Sequence, residues 1–381
     1  MVEKYIVLQG TLNSLKLLGI WPGNTKVNAW YYLKYVLMAP LLYVAYLVII
    51  FDFVYRFKYG IPLDLELATT FCSASNIIYM IVQFMLNIEE IQSICLDLSN
   101  AQEFPLPPDF QKTRNNINQT SKIYRLYMFF TCVIYGVIQM FTGNPCEELK
   151  EAVDLKLFCG VFVPTVLPFN MDFFPALQLL FLFELLSSMH IYLGGAYIIL
   201  MPYEIVLYIK NKMNHLCLIL ETIPSKNDEN VQKETMKLCV RYHQHIITIS
   251  DKITKLYSKI FAVHIIFTAV VFALLAKQST NNINAQVHFV AWIIALFVSC
   301  HSGQELTYAS EIFEEKIMYM CEWYKLNISL QKDLQFMLLR SQKVLLFPVG
   351  PFAILNYDLF IKIIKTTYSY FMLIENSSND I

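Results

Sequence analysis

Six runs of predominantly apolar residues limit what this chain can fold into: Val36–Tyr55, Leu67–Leu86, Ile123–Thr142, Phe173–Leu200, Ile260–Ala276 and Ala285–Gln304. About 20 apolar residues in a helix cross the hydrocarbon of a bilayer, and only a structure that satisfies its own backbone can do so. The segment from Asn356 to Ile374 is interrupted by Lys362, Lys365, Thr366, Thr367 and Ser369, yet Tyr368–Ile374 is apolar and aromatic. A span that packs among other helices or lines water need not be uniformly apolar, so this segment is read as a seventh crossing. With 56% hydrophobic and only 15% charged residues, the chain lacks the roughly 25% charge of a soluble domain. The fold class is an all-α membrane protein with seven transmembrane helices, organised as a single domain over residues 1–381.

Lys and Arg set the orientation. Alternate connections, 1–35, 87–122, 203–257 and 305–346, hold about four times as many as the other set, which has only Arg56, Lys58, Lys150, Lys156 and Lys277. The first set is expected on the cytoplasmic side. Seven crossings then leave the N-terminus inside and the C-terminus outside, opposite to a G-protein-coupled receptor. Residues 1–34 carry Lys4, Lys16, Lys26 and Lys34 and no apolar core of a signal peptide, so the first apolar run is expected to stay as a span.

Two of the cytoplasmic connections read as long helical extensions. Ile205, Ile209, Met213, Leu216 and Leu220 recur at helical spacing; so do Leu238, Tyr242, His245, Ile249, Ile253 and Leu256, and again Leu306, Ala309, Phe313, Ile317, Met320 and Tyr324. Periodicity alone leaves open whether these stripes pack within one subunit or form an oligomerisation platform. On the outer side, loop 143–172 holds Cys146 and Cys159, candidates for a disulfide in an oxidising space, although their spacing does not decide the pairing. Its segment Pro164–Phe169 is too apolar for a free loop and is expected to fold over the bundle as a lid.

Several chemistries find no support. There is no glycine-rich phosphate loop, HExxH or GxSxG, and no CxxC or Cys/His cluster at metal spacing; His243 and His245 diverge on a helix. A formal net charge of -1 offers no basic footprint for nucleic acid. An enzyme is not expected, nor a metal or cofactor. Only Glu184 lies well inside an apolar run, either as a hydrogen-bonded packing residue or as a ligand-recognition group.

The end of the chain carries a more specific pattern. Ser341-Gln342-Lys343, Tyr357-Asp358-Leu359-Phe360 and Ile364-Lys365-Thr366-Thr367-Tyr368-Ser369-Tyr370-Phe371 resemble the C-terminal signature of insect odorant receptors. Met318–Tyr324 resembles the segment Tyr-x-x-x-Trp-Tyr before the last span of that family, Leu238–Gln244 the stretch leading into the fifth span, and Leu17–Pro22 an N-terminal motif frequent in hymenopteran members. The chain departs from the pattern at Val344, where the family usually has proline, with Pro348 and Pro351 following. A gustatory receptor would share the fold but carry a different C-terminal signature. A G-protein-coupled receptor would need an Asp-Arg-Tyr-like motif after the third span, where Gly143-Asn144-Pro145 stands.

The resemblance implies a plasma-membrane, tetrameric, ligand-gated cation channel that works with an obligate odorant co-receptor, its subunits meeting at their cytoplasmic helical ends. The compact stretch 203–257 points to an odour-tuned subunit. The last span would line the pore. There Lys362, Thr366, Ser369 and Leu373 share one helix face, and Leu373 occupies the position of the apolar gate in the family. Tyr368 and Tyr370 would brace this helix, and Glu375 would sit at the outer mouth. A small hydrophobic odorant would bind within the subunit, in the outer half, between the second, third, fourth and sixth spans. The residues offered there are Asn76, Ile77, Tyr135, Ile138, Phe181, Leu185, Phe289, Trp292 and Leu296, with Cys72, Gln139 and Ile293 nearby. Trp292 is the first choice as an aromatic anchor.

Overall fold

The computed structural model describes residues 6–23, 29–61, 64–100, 103–141, 157–159, 161–162, 165–166, 173–280, 282–320 and 322–379. Its helices are α1 (Gln9–Leu17), α2 (Ala29–Leu42), α3 (Val44–Tyr59), α4 (Leu65–Leu86), α5 (Ile88–Ser99), α6 (Phe110–Phe141), α7 (Ala176–Thr222), α8 (Glu229–Gln278), α9 (Ile283–Met320), α10 (Ile328–Ser341) and α11 (Tyr357–Asn379). Two small antiparallel pairs complete it: β1 (Leu157–Phe158) with β2 (Thr165–Val166), and β3 (Pro348–Val349) with β4 (Ala353–Ile354).

Among the described residues, α4, α6, α7, α8 and α9 are long and apolar enough to cross a bilayer, and α2 with α3 makes a sixth span bent by 55°. The expected first span, 36–55, is therefore two helices. Pro40 sits inside α2, where its ring removes one backbone donor and crowds the preceding turn. Ser187 on α7 repairs the break: its hydroxyl donates to the Leu42 carbonyl (2.9 Å) and accepts the Ala45 N–H (3.2 Å). The last helix, α11, is not among the apolar spans, as the polar residues of 356–374 lead one to expect. It packs on α8 and α9.

The spans match the apolar runs, but the helices outrun them. The 47 residues of α7 and 50 of α8 make rods of roughly 70 Å at 1.5 Å per residue, more than twice the hydrocarbon thickness. Because successive spans alternate in direction, the overhangs of α6, α7, α8 and α9 emerge at one end of the bundle, with α5 and α10 packed among them. Here the first stripe, Ile205 to Leu220, is buried within the subunit, as are Tyr242, Ile249, Ile253 and Leu256 of the second. Leu238 and His245 are half-buried. The third stripe is buried as far as Ile317 and then fails: α9 ends at Met320, and Tyr324 lies in a 3-10 turn, exposed. Three short helices were not anticipated. Of these, α1 is held against the bundle by Thr11, whose hydroxyl donates to Glu204 Oε1 at 2.8 Å while Arg125 donates to Thr11 at 3.0 Å.

One lysine in the overhang is anomalous. Lys212 of α7 is 3% exposed, and its Nζ has no hydrogen-bond partner among the described residues; it stands over the Tyr242 ring, 5.6 Å from Nζ to centroid. Burial lowers its pKa to about 8, against a smaller opposing pull from Asp97. An amine depressed from 10.5 to about 8 costs the folded state about 3 kcal/mol wherever both states are protonated, that is, below pH 8. Between pH 8 and 10.5 the unfolded chain binds more protons, so stability rises with pH through that window. We expect Lys212→Met to raise the melting temperature of the detergent-solubilised protein at pH 7, by about 1–3 kcal/mol of stability, and to flatten the rise above pH 8. An unchanged melting temperature and pH profile would contradict this.

Candidate functional site

At the opposite end of the bundle, the β1–β2 hairpin folds back over the helices. Phe158, Val161, Phe162 and Val166 are buried. Of the segment expected to form a lid, 164–169, only Thr165 and Val166 lie among the described residues; two carboxylates hold the hairpin. The Phe162 N–H donates to Glu184 Oε2 at 3.0 Å, and the backbone of Val166 hydrogen-bonds Asp52. Asp52 also forms a fully buried ion pair with Arg56, 2.9 Å, one helical turn away on α3. A buried carboxylate persists when charge and lone pairs find partners, and here the hairpin supplies one of them. Cys159 is disulfide-bonded; Cys146 lies outside the described residues.

Beneath Phe162 lies an apolar cavity of about 100 Å³. Five helices build it. Ala45, Tyr46 and Ile49 come from α3, Thr70, Ser73, Ala74 and Ile77 from α4, Thr131, Cys132 and Tyr135 from α6, Ser188, Ile191 and Tyr192 from α7, and Val287, His288 and Ala291 from α9. On α4 the spacing is three, one and three, one face of a helix. The bend repaired by Ser187 places Ala45 and Tyr46 on this wall. A second, smaller cavity of about 20 Å³ continues deeper, bounded by Met80, Met128, Gly195, His264 and Trp292, and shares Ile77, Tyr192 and Ala291 with the first. Gly195 permits this closeness: a Cβ there would stand 2.6 Å from Ile77 Cγ2.

A polar cluster lies beside the cavity, adjoining Thr70, Tyr135 and His288 of its wall. Glu66 accepts from Tyr135 Oη (3.4 Å) and Gln139 Nε2 (3.3 Å), Gln139 in turn bonds Asn284, and the Thr70 hydroxyl donates to the Glu66 carbonyl. Tyr135 stands between Phe162 and His288, with ring centroids 5.2 and 6.1 Å away. No Asp, Glu, Lys or Arg is on the described wall of the main cavity.

The structure distributes the sequence-derived candidates unevenly. Ile77 and Tyr135 line the main cavity, and Trp292 lines the deeper one with Ile77. Asn76 is buried behind the wall, its Nδ2 3.0 Å from His264 Nδ1. Phe181 and Leu185 pack around Phe162, Ile49 and Leu67, supporting the roof. Phe289 meets Phe272 edge to face at 5.1 Å, toward α8, and Leu296 is in the general core. Ile138 is half-buried and Cys72, Gln139 and Ile293 are likewise off the main wall. The first span, absent from the expected boundary, contributes three residues. Ser73, Ser188 and His288 were missed, although small or polar residues inside apolar runs are those that a span turns inward.

On α11, Lys362, Thr366 and Ser369 are exposed on one face while Ile363 and Thr367 are buried against the bundle. The hydroxyls of Thr366 and Ser369 donate to Lys362 and Lys365 carbonyls of their own helix. Tyr368 and Tyr370 are exposed, unbraced within the subunit. The side chains of Leu373 and Glu375 lie outside the described residues.

Comparison with known proteins bears on this architecture. The 7tm odorant receptor family model matches residues 64–368. The odorant receptor coreceptor of Ooceraea biroi is 24% identical over 157 residues, 39% of this chain and 33% of its own length. Odorant receptor 13a of Drosophila melanogaster is 24% identical over 167 residues, 39% of this chain and 40% of its own. The alignments thus span about a third to two fifths of these relatives. The structure of the olfactory receptor OR5 from Machilis hrabei in complex with eugenol superimposes with a TM-score of 0.75 over 96% of this chain and 97% of that one, at 12% identity. With a family match that runs from the start of α4 deep into α11 and a fold shared along almost its whole length, this multi-pass helical membrane chain belongs to the insect 7tm odorant receptor family.

Proposed function

We propose that this chain is an odour-tuned receptor subunit that takes a small neutral volatile into the cavity under Phe162 and gates a non-selective cation channel together with odorant co-receptor subunits. The observation that carries this reading is the cavity itself: roofed in part by Phe162, apolar, without a charged residue on its described lining, and of a size near the engineered cavity of about 150 Å³ that holds benzene. A charged ligand would leave water without a counter-ion on the described lining. The Machilis hrabei receptor, of the same fold, is described with eugenol, a small aromatic.

Two surfaces of the single subunit suit assembly. The Thr366–Ser369 face of α11 is uncovered and would look onto a central pore, with Leu373 as the gate one turn further. At the overhanging end, Trp323, Tyr324, Ile328, Phe336 and Leu339 are exposed, an apolar patch that would suit a contact between subunits. The charge asymmetry supports a reading in which this end and the N-terminus face the cytoplasm of a sensory neuron, the hairpin faces outside, and the whole chain acts as one seven-helix domain. Co-expression with a co-receptor, followed by recording against a panel of volatiles, tests the reading. Odour-evoked cation current that requires both subunits is expected; current from this chain alone, or uptake without current, would overturn it.

A further inference from the structure

We propose that Ser73 and His288 form a two-donor clamp for one carbonyl oxygen, so that the cavity selects a neutral aldehyde, ketone or ester with a small apolar body. The inference rests on the cavity being the ligand site. Both residues line it, Ser73 from α4 and His288 from α9. The Ser73 side chain is 5% exposed, and its Oγ has no hydrogen-bond partner among the described residues. A buried hydroxyl without a partner is costly, and a ligand that satisfies it gains that cost back.

The role of His288 follows from its neighbour. Trp292 Nε1 donates to His288 Nε2 at 2.8 Å. An indole N–H can only donate, so Nε2 must carry the lone pair, and in a neutral imidazole the proton then sits on Nδ1. No partner for Nδ1–H exists among the described residues, and the ring borders the cavity. Trp292 thereby fixes the tautomer that presents a donor to the ligand, although its own ring lines the deeper cavity. On the same wall Thr70 and Thr131 donate to carbonyls of their own helices, Glu66 and Tyr127. What the clamp offers is two hydrogens, and a carbonyl oxygen has two lone pairs to receive them. An alkane leaves both unpaired; an ammonium brings more donors and a charge.

The test uses the receptor purified with its co-receptor and three probes of equal chain length: 2-heptanone, heptane and heptylamine. Ligand-induced thermal stabilisation is read directly, and current is recorded in co-expressing cells. Wild type should show half-maximal stabilisation by the ketone at a concentration about tenfold or more below that for heptane, with heptylamine weakest, since a site that hydrogen-bonds its substrate discriminates strongly against analogues that cannot. Ser73→Ala, a small change that folds readily, should cut the ketone-to-alkane ratio about three- to tenfold, whereas Ser73→Thr and His288→Gln, which keep donors, should preserve most of it. Equal potency of ketone and alkane in wild type, no stabilisation by any probe, or a ratio untouched by Ser73→Ala would each overturn the clamp. If stabilisation follows the expected ratios but no current flows, the channel reading fails while the clamp stands; if current flows with a ratio indifferent to Ser73, the reverse holds.

Discussion

Ala291→Phe should abolish odour responses at concentrations that saturate the wild-type receptor. Ala291 is 2% exposed and borders both cavities, so a phenyl group at this position projects into the space that the ligand would use. A volatile that buries roughly 150 Å² of apolar surface gains about 4 kcal/mol at 25 cal/mol per Å², and occlusion should therefore cost about two to three orders of magnitude in potency. Overpacking a filled core costs about 1–3 kcal/mol, but here the ring enters a void, and co-assembly and surface delivery, measured by surface biotinylation, should survive. Ile77→Ala is the complementary change. Ile77 borders both chambers, and its removal should join them and shift preference toward longer ligands. Responses to the wild-type panel that persist in Ala291→Phe would place the ligand elsewhere.

The wall of that cavity shows where sequence reasoning stops. The spans were legible because length and apolarity decide them: 67–86 corresponds to Leu65–Leu86 and 285–304 lies inside Ile283–Met320. Rotation about the helix axis is a different matter. Runs that are apolar all round, such as the membrane portions of α7 and α9, have no polar face to fix their phase, and one residue of error turns a side chain by about 100°. On α4 the sequence offers Cys72, Asn76 and Ile77, whereas Thr70, Ser73, Ala74 and Ile77 line the main cavity; on α9 it offers Phe289, Trp292, Ile293 and Leu296, whereas Val287, His288 and Ala291 line the main cavity and Trp292 the deeper one. On α7 the candidates Phe181 and Leu185 lie about one to two turns nearer the hairpin than the wall residues Ser188, Ile191 and Tyr192, and they pack around Phe162. The polar residues inside the apolar runs carried the missing phase information. Thr70, Ser73, Thr131, Ser188 and His288 all face the cavity, as the cost of exposing them to lipid requires.

The overhangs teach a related lesson. Their stripes were visible as periodicity, and the choice between self-packing and assembly could not be made from spacing, because a stripe records only that something covers it. The structure shows the subunit covering Ile205–Leu220 itself, and leaves a different set, Trp323, Ile328, Phe336 and Leu339, uncovered. The short helix α5 was also written in the sequence: Ile88, Ile91, Ile94, Cys95 and Leu98 are buried at helical spacing. The bend at Tyr43 was not legible, since Pro40 announces a disturbance and the position of Ser187, far along the chain, decides its geometry.

Leu373→Ala should open the channel without odour. On α11 the residues at spacings of four, three and four, Lys362, Thr366, Ser369 and Leu373, form one stripe, and its described members are exposed in the lone subunit while Ile363 and Thr367 are buried. A face that the bundle leaves bare, with hydroxyls already bonded to their own helix, would present a pore with a weakly polar wall, and an apolar ring at its far end would hold ions back by dewetting. Truncating that ring to methyl groups widens it and weakens the closed state. A shift of about 1.4 kcal/mol in the closed-to-open equilibrium raises the open fraction about tenfold when that fraction is small, so basal current per surface receptor should rise by that order, with a smaller odour-evoked increment on top. Leu373→Ile, which keeps bulk and branching, should stay near wild type. Co-expression with unmodified co-receptor tests whether one subunit type suffices to loosen the collar. Basal and evoked currents that match wild type in Leu373→Ala would remove this residue from the gate, and recording the same exchange at exposed Met372, one position off the stripe, would show whether the helix face or merely its length matters.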